Sequence, residues 1–114
     1  MLEKLIGFDT ELGMSFCLDD EDCYREILEE YVNSNSYSEL NSLYDNKDWT
    51  NYRIKIHAVK STSKTIGAVE LSDMALALEE ACKNQDEDYI IASHSRCMEQ
   101  YEIVLNTIKE ALEL

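Results

Sequence analysis

Along the second half of the chain, apolar positions recur at steps of three and four. Trp49, Tyr52, Ile56, Val59, Ser63 and Ile66 form one such series, the spacing that lines a single face of an α-helix. Asp48 is placed to cap its start, and Gly67 permits a stop or sharp turn at its end. A following series, Leu71, Met74, Ala75, Leu78 and Cys82, runs to "KNQD". From about Asp86 a last helix carries Ile90, Cys97, Tyr101, Val104 or Leu105, Ile108 and Ala111 on its seam. Nearer the N-terminus, Asp19 and Asp20 open a helix whose apolar face is Tyr24, Leu28 and Tyr31, with Ile27 and Val32 beside them. The polar run "NSNSYS" (residues 33 to 38) either breaks this helix or forms its weak middle. The reading preferred is one long, kinked helix through Leu40, Leu43 and Tyr44 to about residue 46.

Long amphipathic helices joined by short links pack against one another as antiparallel neighbours. The expected fold is therefore all-α, an antiparallel up-down four-helix bundle. The lead "LEKLIGFDTELGM" adds a short N-terminal capping helix. Proline is absent and glycine occurs three times, which disfavours the turn-rich alternation of a β fold. With 114 residues and no internal repeat, residues 1–114 are read as one domain.

Charge narrows the partners. The net charge is -14, from 24 acidic and 10 basic residues, so a phosphate backbone or an anionic membrane surface would be repelled. No nucleic acid and no membrane partner is expected. No apolar run approaches the roughly 20 residues of a membrane span. The first residues lack the apolar core of a signal peptide, so a cytoplasmic protein is expected. Cys17, Cys23, Cys82 and Cys97 show no CxxC pairing and are read as buried free thiols.

One stretch stands apart from this acidic background. In "IHAVKSTSKTIGA" (residues 56 to 68), Ile56, Val59, Ser63 and Ile66 belong to the seam. At about 100° per residue, Arg53, His57, Lys60, Ser61 and Lys64 share a different, outward face. A neutral imidazole is a competent nucleophile near pH 7. A lysine one turn away can offset the charge of a phosphoryl group gained there. Small residues at Ala58 and Ser61 leave room for a bulky partner. The pattern alone also fits a solvated helix face that happens to hold a histidine.

The stretch "HAVKSTSKTIGAVELSDMALALEEA" resembles the signature of the histidine-containing phosphotransfer (HPt) domain family of two-component signalling. The likeness rests on His57, Lys60, the small Ser61, Gly67 ten residues after the histidine, Ala68, and the pair Leu78 and Glu79. The upstream "FDTELGMSFCLDDEDCYREILEEY" is similar to the family's N-terminal portion. The resemblance implies that His57 accepts a phosphoryl group from an aspartyl phosphate on a response-regulator receiver domain and returns it to another receiver. A hybrid sensor histidine kinase is the implied upstream partner. The chain would carry no ATP site, no metal and no cofactor; the magnesium would belong to the receiver. It would be a phosphoryl carrier rather than an independent enzyme.

Two positions depart from the family's commonest pattern. Ser61 stands where glycine is most frequent, and Glu79 where some members place a glutamine near the phosphate. Because a carboxylate repels phosphate, Glu79 is expected to orient His57 or Lys60, with Lys64 and Arg53 in supporting positions. Ile54, Leu12 and Met14 are the expected docking rim. His94, at a seam spacing, reads as a core or boundary histidine rather than a second phosphorylation site or, with Cys97, a zinc ligand. "DDED" (residues 19 to 22) lacks the spacing of a calcium loop and reads as helix capping. The alternative function is a helical adaptor that docks onto a signalling protein without being phosphorylated.

Overall fold

The computed structural model describes residues 1–114, and all its regular secondary structure is helical. A 3₁₀ turn at Leu2–Lys4 precedes α1 (Thr10–Ser15), α2 (Glu21–Asn33), α3 (Tyr37–Asp45), α4 (Trp49–Thr65), α5 (Val69–Lys83) and α6 (Glu87–Leu112). Four of these helices begin at an aspartate that accepts a backbone N–H of the first turn. Asp9 takes Leu12 N at 3.0 Å, Asp20 takes Asp22 N at 3.0 Å, Asp48 takes Asn51 N at 3.3 Å and Asp86 takes Tyr89 N at 3.1 Å. The acidic composition is thus partly spent on satisfying helix N-termini and complementing their dipoles.

The long first helix expected through "NSNSYS" is two helices. The reason is local competition for backbone groups. Ser34 Oγ donates back to Glu30 O at 2.7 Å, Asn35 Nδ2 to Val32 O at 2.9 Å, and Asn35 Oδ1 accepts from Tyr37 N at 3.0 Å. Each bond gives the chain a substitute for a helical hydrogen bond. A distant residue completes the break: the Tyr101 hydroxyl of α6 accepts from Ser36 N at 2.9 Å. At the other end of α2 the cap is Asp20 alone, since Asp19 lies outside it at φ 59°.

One cluster of 25 buried hydrophobic residues forms the core. The seam positions of α4, α5 and α6 are nearly all within it, with Trp49, Met74 and Cys82 at its half-buried margin. On α2, Tyr24, Leu28, Tyr31 and Val32 are buried and Ile27 lies at the margin. α6, about 39 Å long at 1.5 Å per residue, spans the 40 Å length of the molecule. α4 packs most extensively on α5, and α5 on α6. All four cysteines are free; Cys17 and Cys97 are buried, whereas Cys23 and Cys82 are only partly so.

Buried tyrosine hydroxyls are all matched. Tyr24 donates to Ile66 O at 2.7 Å, and Tyr31 shares a 2.8 Å bond with Ser63 Oγ. His94 is 3 % exposed. Its Nδ1 meets the Tyr52 hydroxyl at 2.8 Å and its Nε2 meets Asn41 Oδ1 at 2.9 Å, while Tyr44 stacks on the ring. With both nitrogens engaged, His94 ties α3, α4 and α6 together and has no lone pair left for a metal shared with Cys97. No helix is long and apolar enough to cross a membrane.

Gly67, at φ 85°, makes the turn from α4 into α5. A Cβ at this position would run into the carbonyl oxygen of Asp9. Asp9 N in turn donates to Gly67 O at 2.8 Å, which fastens the N-terminal lead to the α4–α5 turn.

Candidate functional site

α4 and α5 run side by side over the middle of the bundle, and the link between them is only residues 66–68. Ser72 Oγ donates to the backbone carbonyl of Lys60 at 2.8 Å, fixing the register of the two helices. In that register Glu79, on the second-last turn of α5, faces the middle of α4. Its Oε2 is hydrogen-bonded to His57 Nδ1, and its Oε1 accepts from Lys60 Nζ at 2.7 Å.

Exposure differs sharply within this trio. The side chain of His57 is 57 % exposed, that of Lys60 25 % and that of Glu79 only 4 %. The carboxylate therefore forms the floor and the imidazole the outer surface. Burial alone would raise the Glu79 carboxyl. The hydrogen bonds from Lys60 and His57, together with their charges, outweigh it and hold the group below its ordinary value. Glu79 is thus ionised at neutral pH and can only accept. A neutral His57 then donates from Nδ1, which leaves the lone pair on Nε2, and no protein group hydrogen-bonds that atom.

The remaining expected site residues are distributed unevenly. Ser61 is exposed one position beyond Lys60. Lys64 shares a surface concavity of about 510 Å³ with Lys60, Ser61, Leu12, Val69 and Leu76. Arg53 and Ile54 line a second concavity of about 480 Å³ with Trp49, Cys82 and Gln85. Neither Arg53 nor Lys64 forms an ion pair or a hydrogen bond to the imidazole. Gly67 does not border His57: it is buried at the end of α4, where its smallness admits the Asp9 backbone. Met14 is partly buried against the core, whereas Leu12 and Asp9 of the lead line the concavity beside Lys60.

Two contributors escaped the sequence reading. Ser72 sets the helix register through its hydroxyl. Leu76, 40 % exposed, is the one large hydrophobic side chain of α5 that is exposed. Its signal was there to read, since it lies three residues before Glu79 and hence on the same face.

The helical bundle thus presents one exposed imidazole, oriented from below by a carboxylate that also holds a lysine, with the far ring nitrogen facing outward from that pair. Residues 21–113 match the family model described as Hpt domain, and the chain belongs to that family. The match begins at the first residue of α2 and leaves the N-terminal lead outside it. Membership gives the chain a phosphotransfer-related role in two-component signalling, in a family of phosphocarrier modules that work with receiver and kinase domains. Neither curated proteins nor solved structures provide a match.

Proposed function

We propose that this protein is the histidine phosphotransfer intermediate of a multistep phosphorelay, with His57 as the phosphoacceptor. The observation that carries the reading is the pairing of His57 Nδ1 with buried Glu79 beside Lys60. In the forward step, His57 Nε2 attacks the phosphorus of an aspartyl phosphate on a receiver domain. An N–P bond forms, the acyl-phosphate P–O bond breaks, and the receiver's carboxylate leaves. The ring becomes positively charged as Nε2 gives up its lone pair. Glu79 offsets that charge through the Nδ1 proton, as a buried carboxylate does for any imidazole acting at its far nitrogen. Lys60, one turn from the acceptor, then has a dianionic phosphoryl group to pair with as well as Glu79. The reverse step hands the group to a second receiver.

The chain supplies the acceptor and its orientation; the receiver supplies the magnesium and most of the charge stabilisation. ATP chemistry belongs to a kinase upstream, read as a hybrid sensor kinase, and the exchange takes place in the cytoplasm. The same reading treats α2 with α3 as one rod of an up-down four-helix bundle, α4, α5 and α6 being the others and α1 the cap. Ser61 keeps the approach to Nε2 open, while Ile54 and Leu12 belong to the docking rim.

Phosphotransfer tests the proposal directly. Receiver domains of the source organism, each phosphorylated with a small acyl phosphate and magnesium, are mixed singly with the protein. Wild type should gain an acid-labile, base-stable phosphate from at least one, and His57→Gln should gain none. Equal labelling of both proteins, or labelling of neither by any receiver, sinks the relay reading; the second result is what a non-phosphorylated adaptor would give.

A further inference from the structure

Two of the four free cysteines sit together. Cys17 lies just past the end of α1 and is buried, and Cys23 lies in the first turn of α2 and is partly exposed. The chain reverses between them through Leu18 and Asp19, both at positive φ, 52° and 59°. That conformation is costly for residues with a side chain, above all one as large as leucine. Asp20 holds the reversal from both sides: its N–H donates to Cys17 O at 3.0 Å, and its carboxylate accepts from Cys23 N at 3.4 Å. The Cys17 sulfur thereby lies against the Cys23 sulfur, which acts on it by hydrogen bond and by charge. No thiol acts in this way on Cys82 or Cys97.

The reversal matters beyond itself. α1 begins at Asp9, which is bonded to Gly67, and carries Leu12 to the concavity beside Lys60. It rests on α2 where Gly13 meets the Tyr24 ring, so closely that a Cβ there would collide with it.

Reactivity is divided between the two sulfurs. Burial first, and then the Cys23 thiol, pushes Cys17 up to about 11, so it is protonated at neutral pH. Cys23 is the sulfur that a reagent can reach. Asp20, Glu21 and Asp22 beside it repel an anionic reagent, so the fitting oxidant is a small uncharged disulfide.

We infer that Cys17 and Cys23 form a redox-active dithiol, oxidised by a small uncharged disulfide to an intrachain bond that fastens α1 to α2. Cys23 Sγ, its proton released to water, attacks one sulfur of the reagent. A protein–reagent S–S bond forms, the reagent's own S–S bond breaks, and one half leaves as a thiolate that takes up a proton. Cys17 Sγ then attacks Cys23 Sγ, and its proton goes to the second departing half. Two protein thiols are oxidised and one disulfide is reduced to two thiols.

The test places the native protein in a buffer of 2-mercaptoethanol and its disulfide, alkylates the remaining thiols and digests with trypsin. Residues 5–25 hold no internal lysine or arginine, so one fragment carries both cysteines. It should emerge two hydrogens lighter and without an alkyl group. Cys17→Ser should leave half of the reagent on Cys23, and Cys23→Ser should leave Cys17 a free thiol. In oxidised wild type, deuterium exchange of the α1 amides should be about tenfold slower than in the reduced protein. Two alkyl groups on the wild-type fragment at every ratio of disulfide to thiol, two reagent halves on it, or closure only in urea would overturn the inference. Unchanged exchange would overturn it equally, because closure would then fasten nothing.

Discussion

Glu79 reaches across from α5 to take the Nδ1 of His57, twenty-two residues earlier in the chain, and holds Lys60 with its other oxygen. One buried carboxylate thereby sets both the direction of the imidazole and the place of the nearest cation. A glutamine there keeps the shape but loses the charge, and its single carbonyl oxygen cannot serve both donors equally. Glu79→Gln should slow phosphoryl acceptance by about 10- to 100-fold, the usual cost of losing a partner that orients a reactive histidine. Nitrogen NMR of the ring separates orientation from mere scaffolding. Wild type should hold the Nδ1–H form, and the variant should show a mixture with the Nε2–H form.

The two glycines with positive φ make a matched pair. Gly67 is at φ 85° with the Asp9 carbonyl where a Cβ would go, whereas Gly7 is at φ 87° with nothing within 4 Å of that point. Gly7→Ala should cost only the backbone term, about 1 kcal/mol. Gly67→Ala adds a collision with backbone that cannot rotate away, and should cost about 3 kcal/mol or more. Urea unfolding of the two variants measures the difference. Equal losses would mean that the lead moves aside freely, and that its attachment to the α4–α5 turn contributes little.

How far the chain announced these arrangements depends on whether a feature is local. The seam of α4 from Tyr52 to Ile66 and the caps at Asp48 and Asp86 were legible, because periodicity and capping act within one or two turns. The break at residues 34–36 was not, since its polar side chains fit either outcome until Tyr101 of α6 claims Ser36 N. Gly67 was legible as a turn and Ser61 as a small outward residue, but the approach of the Asp9 backbone, which makes the smallness of Gly67 a requirement, was not. Leu12 and Met14 likewise could not be told apart before the lead was folded against the bundle.

Acid should unfold the protein in two stages. Burial pushes His94 below its ordinary 6.5, against a smaller opposing pull from Asp45. The Tyr52 hydroxyl, Asn41 and stacked Tyr44 surround the neutral ring. A base whose folded value is depressed favours the folded state fully above its unfolded value and loses that contribution as pH falls toward the folded one. Stability should therefore begin to drop below about pH 6.5. A second loss should begin below about 4.5, the ordinary value from which Glu79 is lowered, as that carboxylate is protonated away from Lys60 and His57. In His94→Gln the first stage should disappear, with about 2 kcal/mol lost at neutral pH from the broken network. Urea midpoints between pH 7.5 and 3.5 follow both stages, and an unchanged first stage in the variant would assign it to another group.

Lys60 has a side chain only 25 % exposed, yet its ammonium lies at the edge of the site and its contact is with Glu79 rather than with the core. Truncation to alanine removes the nearest cation from the acceptor and leaves Glu79 bonded to His57 alone. The backbone of α4 should be unaffected, because alanine favours helix and the Lys60 carbonyl keeps its bond from Ser72. Lys60→Ala should therefore retain full helicity while accepting phosphate about tenfold more slowly, the effect of losing one charge-assisted contact to the transferred group. Lys60→Arg restores the charge but not the compact ammonium that fits beside Glu79, so it should recover the rate only in part. Rapid-quench transfer assays and circular dichroism on the same samples read the two quantities. A helix-content loss in Lys60→Ala would place this side chain in the scaffold, and an unchanged rate would remove it from the phosphoryl site.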